Sequence, residues 1–302
     1  MQEILTNALC YIAIILLGFV LRAAGFFKEG DFRVLSQIAL KITLPAAVVV
    51  SMTKADLDLS MLTIAALGLG CGIVYVLMAC VFTSYKNKED RAFTVLNLPG
   101  YNIGLFAMPF ISGFLGPMGV VTTSLFDTGN ARVCLGGAYG VAQGIKSGSK
   151  FSVWLILKAL LTSVPFMTYV VMITLNLTGI RLPAPVLQFA DVIRGASTFV
   201  AMLMIGVGLR LKVSKHQLGS VVKIVFLRYS IAACFALIFW YLLPFELQVR
   251  QALVLLSFSP IGAATPAFTG QLKGDVGLSS AINSVCIICS IVIMTALLTV
   301  IL

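Results

Sequence analysis

Chemistry in this chain must come from very few residues. Asp127 is the sharpest candidate. It lies in an apolar segment that starts near residue 117, and at about 1.5 Å per residue a helix would carry it roughly 15 Å into a bilayer. An ionisable group at that depth costs several kcal/mol unless it is paired or hydrated, so its default reading is functional, here as a proton or ion site. Asn130, three residues on, shares its helical face. The alternative is a structural hydrogen-bonded cluster. Arg132 is long enough to snorkel. Asp191 and Arg194 can neutralise each other, and Lys41 and Arg228 suggest no role. Cys286 and Cys289 form a C-x-x-C in a continuous apolar run, with no second pair or histidine nearby. They read as small packing residues. No H-E-x-x-H, G-x-S-x-G, phosphate-binding loop or zinc pattern occurs, and no loop is long enough for an ATPase domain. The expectation is a non-enzyme with no cofactor or metal.

Two segments would have to position such residues, and both are interrupted. One reads Leu96-Asn-Leu-Pro-Gly-Tyr-Asn-Ile-Gly-Leu-Phe-Ala-Met-Pro-Phe110, the other Ser257-Phe-Ser-Pro-Ile-Gly-Ala-Ala-Thr-Pro-Ala-Phe268. Proline removes a backbone donor and clashes with the preceding turn, while glycine makes unwinding cheap. A single proline would mean a kink. Two doubly interrupted segments point to discontinuous helices around a binding site. Tyr101, Asn102, Pro109, Pro260, Thr265 and Pro266 are the candidate binding or crossing residues. If Pro109 and Pro266 each open a second half-helix, two helix N-termini meet near the midplane, an environment suited to an anion such as a carboxylate.

The surrounding composition is that of a membrane protein. Of 302 residues, 60% are hydrophobic and 11% charged, and mean hydropathy is +1.05; a soluble domain carries about a quarter charged residues. The apolar runs predict ten helical spans near 4–22, 33–52, 60–84, 91–114, 117–143, 152–177, 184–210, 217–243, 248–271 and 276–301. The net charge of +10 has no soluble domain to display it, which argues against a nucleic-acid partner. It reads instead as topology signal. Loops after odd-numbered spans hold Arg22, Lys28, Arg33, Lys86, Lys88, Arg91, Lys146, Lys150, Arg210, Lys212, Lys215 and Lys273. Those after even-numbered spans hold Lys54, Arg181 and Arg250. The positive-inside rule then puts the odd loops in the cytoplasm and both termini outside, in the cell (inner) membrane.

A weak internal repeat runs through these spans. Phe114-Leu-Gly-Pro-Met-Gly119 follows the fourth, and Leu272-Lys-Gly-Asp-Val-Gly277 follows the ninth. One offset pairs Gly116 with Gly274 and Gly119 with Gly277, and nearly pairs Pro109 with Pro266. Five spans per half would invert the second half, giving repeats over 1–146 and 147–302. Asn283 then corresponds to the Asp127–Asn130 region.

At these residues the sequence resembles the auxin efflux carrier family, permeases with a bile acid symporter-like fold. Asn102, Ala107, Pro109 and Gly116 fit the family's fourth-helix pattern, Pro260, Pro266, Gly274 and Asp275 its ninth, and Leu44-Pro45 its second. The resemblance implies an all-α membrane protein of two inverted five-helix repeats, with broken fourth and ninth helices crossing in an X. It further implies a scaffold of spans one, two, six and seven, and a transport domain of spans three to five and eight to ten that moves like an elevator. Gly195-Ala-Ser-Thr-Phe199 stands where the family often has proline, so the scaffold differs there. The absence of a long central loop suggests a bacterial permease.

The expected function is therefore a secondary carrier for small organic anions, with a channel or membrane-embedded ligand sensor of the same fold as the alternative. A proton is favoured over sodium as coupling ion, because Asp127 is a single buried carboxylate and sodium wants several convergent oxygens. Carbonyls freed at Gly100 and Gly262 would nonetheless supply such oxygens. The expected partners are the substrate anion, the lipid bilayer and a second copy in a scaffold-mediated homodimer.

Overall fold

The computed structural model describes residues 2–28, 30–54, 59–148, 152–209 and 215–301; of the topology signals, Lys150, Arg210 and Lys212 lie outside them. Among the described residues every regular element is a helix. In chain order these are α1 (Gln2–Ala23), α2 (Asp31–Thr53), α3 (Ser60–Phe82), α4 (Lys88–Asn97), α5 (Ile103–Ser147), α6 (Val153–Thr162), α7 (Val164–Leu177), α8 (Ala184–Gly208), α9 (Lys215–Tyr241), α10 (Leu247–Ser257), α11 (Thr265–Gln271) and α12 (Val276–Ile301).

Among the described residues seven of these helices, α1, α2, α3, α5, α8, α9 and α12, are long and apolar enough to cross a membrane, and eight spans result if the bent pair α6–α7 is one. Ten were expected. Two features mark where the observed helices depart from that expectation. The fourth and ninth predicted segments are broken into pieces too short to span, α4 plus the start of α5, and α10 plus α11. In addition, α5 runs 45 residues, which as a straight rod would be about 68 Å long, more than twice the hydrocarbon thickness. It is not straight. Gly116 takes φ 57°, ψ −151°, a backbone state only glycine adopts without strain, and Pro117 follows. The helix kinks there, and the stretch beyond Gly116 is a second arm of α5. The α6–α7 bend of 76° also has a local cause: Ser163 is extended, its hydroxyl accepts from the Phe166 N–H, and Pro165 opens α7.

In lipid, apolar burial does not by itself select helix partners, so close backbone contact does. Helices α3 and α5 meet through Gly68 and Gly129: a methyl group on Gly129 would collide with the Ala65 carbonyl, and one on Gly68 with the Phe126 carbonyl. Gly18 and Gly206 bring α1 and α8 together in the same way. Fully buried Tyr75, Leu98, Phe106, Phe126 and Ile261 pack where the broken segments meet. Exposed apolar side chains such as Leu9, Phe226, Val292 and Val300 face outward, as lipid contact requires.

Two basic residues counted as topology signals also terminate helices. Arg22 Nη1 donates to the carbonyls of Val207 and Leu209 at the end of α8, at 2.9 and 3.1 Å. Lys146 donates to the Leu272 carbonyl after α11 at 2.8 Å. Both satisfy carbonyls that a helix end leaves unpaired. Asn97, Thr269 and Ser279 form a buried hydrogen-bonded triangle that ties α4, α11 and α12 together.

Candidate functional site

Helix α4 stops at Asn97, and residues 98–102 are unwound. Gly100 has φ +79°, which the turn out of the helix demands and a side chain would strain. The chain re-enters helix at Ile103, with Asn102 as the flanking residue. The first turn is a π-turn in which the Ala107 N–H reaches the Asn102 carbonyl. Pro109 therefore sits inside the second half-helix, more than a turn beyond its start, and not at its opening as the sequence suggests. The second break runs from Phe258 to Ala264, and Pro266 does lie in the first turn of α11.

The two breaks touch. The Asn102 N–H donates to the Pro260 carbonyl at 2.9 Å, so each unwound stretch satisfies part of the other. Asn130 on the second arm of α5 does the same job by side chain. Its Oδ1 accepts from the Tyr101 N–H at 3.0 Å, and its Nδ2 donates to the Tyr101 carbonyl at 3.1 Å and to Asp127 Oδ1 at 2.8 Å. A buried peptide with no helical partners is thereby paired on both sides. The other oxygen of Asp127 accepts from the Tyr169 hydroxyl of α7 at 3.1 Å. Asp127 thus links the broken segment, through Asn130, to α7.

A cavity of about 150 Å³ lies against this cluster. Tyr101, Asn102, Asp127 and Asn130 line it, as do Tyr169, Cys134 and the Gly262–Ala264 stretch of the second break. The Asn102 side chain caps nothing and is 6% exposed, so its amide is available to an occupant. Ile103, Gly104 and Leu105, at the start of the re-entered helix, line the cavity as well, and N–H groups in a first helical turn have no preceding turn to bond.

The remaining predicted residues stand apart from the cavity. Pro260, Thr265 and Pro266 lie in or beside the second break and Pro109 lies inside the re-entered half-helix, and none of the four lines the cavity. Asn283 on α12 does not line it either, and its Oδ1 is buried without a partner among the described residues. Asp191 and Arg194 pair at 2.7 Å on an exposed face. Arg132 turns back to the Thr128 carbonyl. Cys286 and Cys289 are free thiols.

Sequence reasoning passed over Arg228, which lies at the centre of the crossing. It is fully buried. Its Nη1 donates to the Leu98 carbonyl at 2.6 Å, and its Nη2 to the carbonyls of Gly100 at 2.9 Å and Ser259 at 2.7 Å. The Tyr75 and Tyr101 rings lie 5.2 and 5.3 Å from the guanidinium carbon, within cation–π range. A signal was present: Arg228 is 13 residues into a 27-residue helix, about 20 Å from either end, too deep to snorkel. Tyr169 had no signal, since a tyrosine in an apolar run looks like any packing aromatic.

No protein-family model matches the sequence. The chain is similar to an uncharacterized transporter of Methanothermobacter thermautotrophicus, 22% identical over 245 residues that cover 80% of this chain and 79% of the relative. That similarity supports a transporter. With the apolar helices, it describes a multi-pass membrane protein in a lipid bilayer.

Proposed function

We propose that the chain is a secondary carrier of small organic anions, similar in plan to the auxin efflux carriers. The observation that carries this reading is the cavity where two broken segments touch, lined from both breaks and by Asp127, Asn130 and Tyr169. On this reading the chain crosses the membrane ten times in two inverted five-helix repeats. Helix α4 with the first arm of α5 is the fourth crossing, the second arm the fifth, α6–α7 the sixth, and α10–α11 the ninth. Helices α1, α2, α6–α7 and α8 are the scaffold, and the rest move as a transport domain. The Asp127–Tyr169 hydrogen bond then spans the two domains, and making or breaking it accompanies each passage.

The substrate is small, because a cavity near 150 Å³ is about the size that takes one benzene ring. A carboxylate suits the free N–H groups at Ile103–Leu105 and the Asn102 amide. Among the described residues Asp127 has hydrogen-bond donors but no cation paired with it, so carrying a proton lets it share the cavity with an anion. Uptake by proteoliposomes tests this, with radiolabelled mono- and dicarboxylates of two to five carbons as probes. Saturable uptake with counterflow is expected, and Asp127→Asn should lose proton-driven accumulation while keeping exchange. Non-saturating flux of these probes would mean a channel, and accumulation by Asp127→Asn equal to wild type would remove Asp127 from coupling.

A further inference from the structure

Arg228 poses a problem of charge balance. It is fully buried, and among the described residues no carboxylate forms an ion pair with it. A guanidinium stays protonated in proteins, so dipoles must balance it. Its three hydrogen bonds end on Leu98, Gly100 and Ser259. Leu98 is the residue that caps the C-terminus of α4, and Ser259 follows the last turn of α10. Each helix C-terminus carries about half a negative charge, so the two ends together offset about one guanidinium.

The position matters as well as the balance. In carriers with discontinuous helices, carbonyls freed at half-helix C-termini and in unwound stretches are the ligands of a coupling cation. Here the Gly100 carbonyl, together with its counterparts on Leu98 and Ser259, is engaged at 2.6–2.9 Å by a cation already attached to the chain. Two tyrosine faces enclose it. The Tyr75 hydroxyl donates to the main-chain carbonyl of Arg228 at 3.0 Å, fixing that turn of α9 against α3.

We propose that Arg228 is a built-in substitute for a coupling cation: its guanidinium occupies the place between the ends of α4 and α10 where a sodium ion would bind, so the protein works without sodium. Arg228 is a positioning residue in this role, because it acts on substrate only through the carbonyls and breaks it holds. The proposal rests on the carrier reading but predicts a cation response that needs no substrate.

The test is thermal unfolding of the purified full-length protein in detergent, without any transported compound. Wild type should melt at the same temperature in sodium chloride and in choline chloride of matched ionic strength. Arg228→Ala should melt lower and regain about half or more of the loss in millimolar guanidinium, as a ligand selective for the folded state would give, with no gain in tetramethylammonium. A role in packing alone would not produce that selectivity. Arg228→Lys keeps the charge without the fork, and should melt between the two and ignore sodium. Stabilisation of wild type by sodium over choline would overturn the proposal, as would an Arg228→Ala protein that melts like wild type or answers to no small cation. If Arg228→Ala does not fold, the lysine variant decides. A folded, sodium-insensitive lysine protein supports the substitute cation, and one that fails as completely as alanine refutes it.

Discussion

Replacing Asn130 by alanine probes the central geometric claim, that one side-chain amide holds the first broken segment open. The substitution removes three hydrogen bonds, to the Tyr101 N–H, the Tyr101 carbonyl and Asp127 Oδ1. Asn130 is 1% exposed, so water does not replace it freely. The Tyr101 carbonyl keeps a weak contact with the Cys134 thiol at 3.8 Å, while its N–H keeps nothing among the described residues. A buried donor or acceptor left unpaired costs about 1–3 kcal/mol, so two such groups put the loss at about 2–6 kcal/mol. That is a large part of a typical folding free energy of about 5–15 kcal/mol. At about 2–4 °C per kcal/mol for larger domains, the melting temperature should fall by roughly 10 °C. Asn283→Ala is the control, since Asn283 also lies in an apolar helix but its Oδ1 is unpaired among the described residues. Its loss should shift melting by no more than about 2 °C. Melting curves of the two purified variants beside wild type decide the matter. Equal shifts, or a larger shift for Asn283→Ala, would refute the role given to Asn130.

Gly129→Ala should drive α3 and α5 apart, because the added methyl meets the Ala65 carbonyl and lies 2.6 Å from the Leu69 nitrogen. Overpacking of this kind costs about 1–3 kcal/mol, and Gly70→Ala, where nothing lies within reach, should melt like wild type. Asp275 precedes α12 and accepts from the Leu278 N–H at 2.8 Å and from Gln217 at 2.9 Å. The Leu278 N–H foremost, with Gln217 helping, holds its carboxyl below the usual carboxylate range. That contribution is present above the unfolded value of about 4 and is lost as pH falls through the lower folded value. Asp275→Ala should cost about 1 kcal/mol at neutral pH, and the gap from wild type should close on acidification. A gap that widens in acid would reverse the sign of this argument. Orientation is open to thiol labelling in a background without the seven native cysteines. Lys54→Cys and Arg181→Cys should react with an impermeant reagent from outside, and Lys88→Cys should not; the opposite pattern would invert the topology.

What the sequence determined by itself is local. Long apolar runs imply lipid-facing helices whatever their neighbours, because an unpaired backbone cannot survive in hydrocarbon. Pro99-Gly100 and Pro260-Ile-Gly262 were enough to locate both breaks, since proline and glycine act on their own backbone. Asp127 and Asn130 were legible as a pair because three residues bring side chains onto one face. The tertiary structure decided which of these residues meet. Pro109 moved inside its half-helix because an irregular turn began earlier, at Ile103. Asn283 fell outside the cavity, although the repeat had matched it to the Asp127–Asn130 region. Arg228 found its partners 130, 128 and 31 residues away, and Tyr169 reached Asp127 across 42. Contacts at such separations depend on how helices pack, and no periodicity or spacing along the chain encodes them.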